Sequence, residues 1–502
     1  MSAHLSILCK TIGFGEILKY LFLGILFIIA VVLFFYDRYQ KEHSLWRNYP
    51  IIAHGRNLLE ALGVYLRQYF YAMDREELPF NRAVRSWIYR AAKEVENVIA
   101  FGSTRDLHPI GTVIFVDAPF PPLGQTMVLP KEMIIGPECR IPYKTSSLFN
   151  ISAMSYGSLS KEAVQALSMG ARKAGCWLNT GEGGISPYHL EGGADLIAQI
   201  GTAKYGYRDK EGNLDEGRLK RAAAYDQVKM FEIKLSQGAK PGKGGILPAV
   251  KVTPEVAEIR AIEPYKESVS PNRHVDIANV SQLLDKIHYI REVTGKPVGF
   301  KIVLGNYDWL DELFMEIVRR GLDVAPDFIT LDSKDGGSGA APMSLMDYVG
   351  LTIKESLPVL VNKLVEYGLR KRIKVIASGK LVTPGEVAWA LCIGADFINS
   401  ARGFMFSLGC IQALRCHLNT CPTGITSHQK RFRYGLIPEN KADRVYHYAK
   451  NVVQEVGIIC HSCGVEEPRE LRRHHARQVT ENGLSVLLSE LYPVPAVKHF
   501  LT

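Results

Sequence analysis

The chain has 502 residues, 47% of them apolar and 22% charged, an ordinary globular composition with length for one large domain plus extensions. Its net charge of +9 suits an anionic substrate, a phosphate-bearing cofactor or an acidic membrane surface; no Lys/Arg stripe with interleaved aromatics is present, which argues against nucleic acid. Nine cysteines, three of them clustered near the C-terminal end, suit a reducing compartment that keeps thiols for metal rather than a disulfide framework.

The first predicted element is an uncharged, mostly apolar run from Tyr20 to Tyr36, with Lys19 before it and Asp37 and Arg38 after it. At about 1.5 Å of rise per residue such a run just crosses a hydrocarbon layer roughly 30 Å thick. Signal sequences have shorter apolar cores and end on small residues. DRYQKEH follows here, so the run reads as a retained anchor over about 18–36, with a buried core helix as the alternative. Arg38, Lys41, Arg47 and Arg56 follow it, against Lys10 and Lys19 before it, which predicts a single-pass protein with its catalytic body in the cytoplasm. Residues 1–39 are thus the anchor segment and 40–145 a helical and irregular collar. Within the collar Leu58, Leu59, Leu62 and Tyr65 share one helical face, and short strands and turns follow around DAPFPPLGQ.

From residue 146 the pattern becomes short apolar strands alternating with amphipathic stretches. Strands are expected at Phe149–Ala153, Trp177–Thr180, Met230–Leu235, Ser268–Pro271, Val298–Val303, Phe328–Leu331, Ile373–Ala377 and Phe397–Asn399. Helices are expected at Lys161–Ala174, Val280–Val293, Trp309–Arg320 and Leu357–Leu369. Eight strands alternating with helices predict an α/β fold, a (β/α)8 TIM barrel over 146–430, closed by a helical tail over 431–502. An open doubly wound sheet is the runner-up, but no GxGxxG follows the first strand.

Such barrels place their chemistry in the loops after the strands, and here those loops are rich in glycine and polar groups. They read SAMSYGSLS, NTGEGG, IKLSQGAKPGKGG, VGFKIVLGN, DSKDGGSGA, IASGK and NSARG. Glycines there let backbone N–H groups approach a ligand, and the last two loops are where such barrels commonly hold phosphate. Lys301 lies within a strand between Phe300 and Ile302, where an unpaired ammonium is costly, so it needs an anionic or strongly accepting partner. A flavin edge and an ion pair with Asp332 or Asp335 both meet that need. Lys234, Gln237 and Lys240 recur at a spacing of three, and Arg260 follows. That set suits a dicarboxylate, with arginine as a fork and lysine as a point charge; a solvated basic loop is equally compatible with the spacing.

Cys410, Cys416 and Cys421 in GCIQALRCHLNTCPTG put three soft thiols in one short loop, and the odd number argues against pairing. An iron-sulfur cluster suits this spacing better than disulfides, with three unrelated buried cysteines as the alternative. Cys460 and Cys463 form a lone CxxC, compatible with buried structural thiols, a redox pair, or part of a metal site with His461.

The cysteine segment, together with IK-x2-QGAKPG-x-GG-x-LP, resembles the FMN-binding synthase domain of the glutamate synthase large subunit, and the similarity extends over residues 146–430. Taken with the apolar N-terminal run, which the family's large subunits do not carry, the resemblance implies a stand-alone form of that enzyme that is membrane-anchored. It implies FMN held by Ser155, Lys301, Asp335, Gly336, Gly337, Gly379, Arg402 and Gly403. It also implies a 3Fe-4S cluster on Cys410, Cys416 and Cys421, with a 4Fe-4S cluster left open. Lys234, Lys240 and Arg260 would bind a 2-oxo acid, and Glu182, Lys240 and Gln237 would carry the catalytic roles. The reaction implied is reductive amination of 2-oxoglutarate by ammonia made elsewhere, with electrons from a one-electron donor such as ferredoxin. The sequence departs from the family where Lys243 replaces the acid of PGEGG and Ile246 a common glutamine. The charge reversal keeps open an enzyme making an N-alkylated glutamate from an amine. A non-catalytic, membrane-tethered electron-transfer protein is the third reading.

Overall fold

The computed structural model describes residues 14–95, 98–123 and 130–498; Lys10, and the Gly-Gln that ends DAPFPPLGQ, lie outside them. The chain forms two compact units, residues 1–83 and residues 84–502.

In the first unit the apolar run lies in a longer helix than expected, α1, Phe14–Tyr39, of which the Gly15–Tyr39 stretch is long and apolar enough to cross a membrane and has its most apolar 18 residues unburied. A short helix, Ser44–Asn48, leads to α2, Ile52–Leu66, which ends in a π-helical turn over Arg67–Tyr71.

The second unit is built on a closed barrel of eight parallel strands. They are β1 (Phe149–Ile151), β2 (Trp177–Asn179), β3 (Asp195–Ile200), β4 (Val228–Lys234), β5 (Val298–Val303), β6 (Phe328–Asp332), β7 (Lys374–Ser378) and β8 (Phe397–Ser400). Each pairs with the next in chain order, and β8 closes on β1.

One expected strand is corrected. Ser268–Val269 is outside the barrel, paired antiparallel with Ile246–Leu247 in a small arm above β4. The third barrel strand is instead β3, in the segment ADLIAQIG. Its alanines and a buried Gln199 dilute the β-branched signal, and a strand buried on both faces carries no alternation to read. The Lys234 strand is therefore fourth in the barrel rather than third.

The interior is layered by the two-residue strand period, which puts residues i, i+2 and i+4 on one face. On β4 these are Met230, Glu232 and Lys234; on β6, Phe328, Thr330 and Asp332. The lower layer is apolar, joining Trp177, Ile197, Met230, Phe328, Ile376 and Phe397 with Ile135 and Tyr143 from an antiparallel pair that plugs that end. In the middle layer the buried Glu232 carboxylate accepts from Asn179 Nδ2 at 2.8 Å, Gln199 Nε2 at 2.7 Å and Thr330 Oγ1 at 2.5 Å. The upper layer, where the strands end, is charged. The tail's long helix, α3, Pro438–Ser462, packs on the barrel helix Lys161–Ala174, where Val445 lies against Gly170.

At the lower end Asp327 is fully buried, 3.0 Å from Arg291 Nε and 2.9 Å from Arg372 Nη2, and it accepts the Val298 N–H at 2.8 Å. Removing one partner of such a cluster strands the others without water. Asp327→Ala is therefore expected to cost about 3–5 kcal/mol, read as the midpoint shift in chemical unfolding.

Candidate functional site

The upper layer is where the sequence-predicted residues meet. Lys234 and Lys301 are register partners on β4 and β5, so their ammonium groups enter the mouth side by side. Two like charges in a buried layer need carboxylates. Lys301 Nζ is 3.1 Å from Asp332 Oδ2, and Lys234 Nζ is 2.9 Å from Glu182 Oε1 while also donating to the Gln237 side-chain carbonyl. Burial opposes charge on Lys301, but Asp332 and Glu232 outweigh it and its pKa is raised. Burial likewise pushes the Glu182 and Asp332 carboxyls up, and the lysines beside them more than offset this, so both end below the ordinary carboxylate value. Asp332 also accepts the Gly238 and Ser333 N–H groups, each at 3.0 Å.

Lys240 and Arg260 complete the cationic side. Lys240 is buried, donates to the Ala340 carbonyl at 3.1 Å, and has its pKa lowered to about 8 by burial and then by Lys234. Arg260, the last residue of the helix Pro254–Arg260, donates from Nη2 to Ser155 Oγ and to the Tyr156 carbonyl, both at 3.2 Å. Its guanidinium lies over the Tyr205 ring, 5.3 Å from the centroid, and its Nε is buried without a hydrogen-bond partner. Burial lowers its pKa. Lys243 is exposed, yet near enough for its charge to depress Lys240 further.

The expected cofactor residues ring the same mouth. Asp335 accepts the Ile353 N–H at 2.9 Å, and its carbonyl accepts from Arg402. A side chain on Gly336 would meet Asp332 and Gly238, and one on Gly337 would meet Arg402. Gly379 has φ of +120° and stands against Ser333. A Cβ on Gly403 would come 2.2 Å from the Tyr448 hydroxyl of α3. Burial lowers the Arg402 pKa to about 10.

The cysteine loop is tied to the β1 end of the mouth. The buried Lys251 donates to the Cys416 carbonyl at 3.2 Å and to the Ser158 carbonyl at 2.6 Å. His428 Nε2 meets the Gly157 carbonyl at 2.8 Å, the Ser160 N–H donates to the Ile425 carbonyl at 2.9 Å, and Ser155 Oγ donates to Ser158 Oγ at 3.1 Å. A chain of polar contacts thus runs from Cys416 through Lys251, Ser158 and Ser155 to Arg260. Burial, then Cys416 and Cys421, pushes the Cys410 thiol up to about 12. Cys416 is raised by burial and by Cys421, whereas hydrogen bonds from Thr423 and Thr426 outweigh burial at Cys421 and lower it. The three thiols sense one another's charge, although among the described residues no three His, Cys, Asp or Glu side chains converge as metal ligands. Cys460 and Cys463, at the end of α3, are buried near Cys392, and burial pushes Cys460 up to about 12. No role follows from that placement.

The sequence reading missed Lys251 and cast Asp332 only as a structural partner. The signal for Lys251 was present, since PAVKVTP sets a lysine between valines as FKI does at Lys301.

Comparison with known proteins places residues 125–466 in the conserved region of glutamate synthase. The chain is 40% identical to a glutamate synthase large subunit-like protein, YerD, of Bacillus subtilis, covering 92% of this chain and 96% of that protein. It is 32% identical to the archaeal-type glutamate synthase [NADPH] of Thermotoga maritima over 64% of this chain and 60% of that protein. It matches only 19% of the B. subtilis glutamate synthase [NADPH] large chain, at 31% identity over 61% of this chain. Among solved structures, mandelate oxidase with (S)-4-hydroxymandelic acid aligns with a TM-score of 0.45 and 14% identity, over 78% of this chain and 98% of that one.

Lys251→Met would leave the half-buried Ser158 and Cys416 carbonyls without their lysine donor, a penalty of about 1–3 kcal/mol on the closed loop. Iodoacetamide is then expected to alkylate Cys416 and Cys421 in iron-free protein about tenfold faster than in wild type. An unchanged rate contradicts the tie.

Proposed function

This chain belongs to the glutamate synthase family, a family of oxidoreductases, and on that premise we propose that it aminates 2-oxoglutarate, or a similar 2-oxo acid, reductively to L-glutamate. The observation that carries this reading is the cluster of buried cations at the barrel mouth, with the free Arg260 Nε–H among them.

FMN fits this mouth by the chemistry of its lining. Lys301 offers a buried ammonium, Arg402 a guanidinium at the β8 end, and Gly336, Gly337 and Gly379 a rim whose close contacts leave no room for a Cβ. Ser155, Asp335 and Gly403 complete the set that would hold it. Cys410, Cys416 and Cys421 fit a 3Fe-4S cluster by the chemistry of the donor set, three soft, partly buried thiols on one loop, which would have to draw together to ligate it. When bound, FMN would supply hydride to the 2-imino acid, and the cluster would supply electrons singly from a donor such as ferredoxin.

The chain's own residues do the binding and positioning. Lys240 and Arg260 hold the two carboxylates of the acid, Arg260 as a fork and Lys240 as a point charge. The Gln237 amide, fixed by Lys234, orients the carbonyl to be aminated. Glu182, kept ionised by Lys234 at Oε1, holds the Lys234 ammonium in place beside the Gln237 amide; a carboxylate held below its ordinary pKa is too weak a base to deprotonate ammonium, so the nitrogen enters as neutral ammonia. Ammonia arrives free or from a partner. α1 anchors the enzyme in a membrane as a single pass, with the barrel on the cytoplasmic side. A second reading, an amine as nitrogen donor giving an N-alkylated glutamate, is favoured by exposed Lys243 where the family carries an acid.

Anaerobic protein given a one-electron donor is expected to form glutamate from 2-oxoglutarate in proportion to ammonia. No turnover with any 2-oxo acid contradicts amination, and turnover only with alkylamines selects the second reading. The Lys240 charge is present below its pKa of about 8 and is lost as pH rises through it. Accordingly kcat/KM for the 2-oxo acid should fall by about tenfold per pH unit above that point, and Lys240→Arg should remove this fall.

A further inference from the structure

The first compact unit carries an apolar surface for which the proposed reaction has no use. At about 100° per residue, Leu58, Leu59, Leu62, Tyr65, Leu66 and Tyr69 fall on one side of α2 and its π-helical continuation. Arg56, Asn57, Glu60 and Arg67 fall on the other, where Arg56 Nη1 is 3.2 Å from Glu60 Oε2. The apolar side is uncovered: Leu59 is 66% exposed, and Phe70, on the same side, 77%. A continuous apolar stripe of this kind marks a surface built to be buried.

Its position follows from α1. The Gly15–Tyr39 stretch, 25 residues long, extends about 37 Å at 1.5 Å per residue, more than a hydrocarbon layer of roughly 30 Å. Its last turn therefore emerges among lipid headgroups. In that turn the Asp37 carboxylate is completely shielded by the chain that follows. Asp37 Oδ2 accepts the Ile51 N–H at 2.9 Å, and Oδ1 is hydrogen-bonded to His54 Nε2 at 2.8 Å. These bonds fasten the first turn of α2 to the last turn of α1, so α2 starts at the bilayer surface. With its π-helical continuation it is not a second span, because Arg56, Glu60 and Arg67 lie within that stretch and a charged residue such as arginine at a bilayer centre costs about 2.5–3.5 kcal/mol.

We propose that α2, with its continuation to Tyr71, lies in the plane of the membrane and docks on anionic lipid. Its leucine face sinks to the boundary of headgroups and acyl chains, Arg56 and Arg67 reach the phosphates, and Tyr65 and Tyr69 sit at the level that aromatic rings with a polar edge prefer. The inference rests on α1 being a membrane span. It adds a second, lateral attachment that fixes how the chain leaves the bilayer.

The test uses the full chain in vesicles of phosphatidylethanolamine and phosphatidylglycerol, with a diazirine amino acid in place of Leu59 or, separately, Glu60. Carbonate washing reports on α1, and photolysis reports on α2. The expected result is carbonate-resistant protein that labels lipid at least about tenfold more from position 59 than from position 60. Carbonate resistance with equal labelling, or with position 59 crosslinked only to protein, this chain's own second unit or another copy, overturns the lateral docking and leaves the anchor standing. Release by carbonate overturns both.

Discussion

Buried cations at the mouth of the barrel outnumber the carboxylates that face them, and the arrangement of the site follows from that imbalance. Lys234 is neutralised by Glu182 and Lys301 by Asp332, while among the described residues Lys240 and Arg260 find carbonyl and hydroxyl acceptors and no carboxylate in hydrogen-bond reach. Burying ammonium and guanidinium groups without partners is costly, and the depressed pKa values of Lys240 and Arg260 express that cost. An entering dianion relieves it. The site is thus pre-charged for anions, and the ion pairs decide which cations stay free to meet them.

The layered interior makes this possible. A period of two carries each strand from an apolar floor through a hydrogen-bonded middle to a charged rim, so that Met230, Glu232 and Lys234 on one strand do three different jobs. Stability is concentrated at the floor, in the plug of Ile135 and Tyr143 and in the Asp327 cluster. The rim is left to chemistry, a division common to barrels of this architecture. The cysteine loop joins the rim through Lys251, which brings thiols and pocket within a few polar contacts of one another.

Most of the barrel was legible in the sequence because strand ends announce themselves through glycine and polar clusters, and seven of those clusters do fall at its upper end. β3 was not legible, since a strand buried on both faces and diluted by alanine and glutamine offers neither alternation nor β-branched enrichment. Ser268–Pro271 reads as a strand in its place. It does form one, but as half of a two-stranded arm, and pairing partners cannot be read from a short apolar run. Lys301 was legible because a lysine inside an apolar strand demands a partner. Lys251 sits in the same kind of sequence but gives a weaker signal, because it precedes a helix rather than a loop rich in glycine. The pairing of Lys234 with Glu182 joins loops distant in sequence, and only the closed barrel brings them together.

The most direct test of the charged mouth is spectroscopic: anaerobically purified full-length protein, titrated with 2-oxoglutarate while its absorption and EPR spectra are recorded. The account predicts an isoalloxazine spectrum and an iron-sulfur signal. It also predicts that 2-oxoglutarate perturbs the flavin bands saturably in wild type and not in Arg260→Met. Colourless protein without iron, or flavin bands that ignore the dianion in wild type, would contradict it.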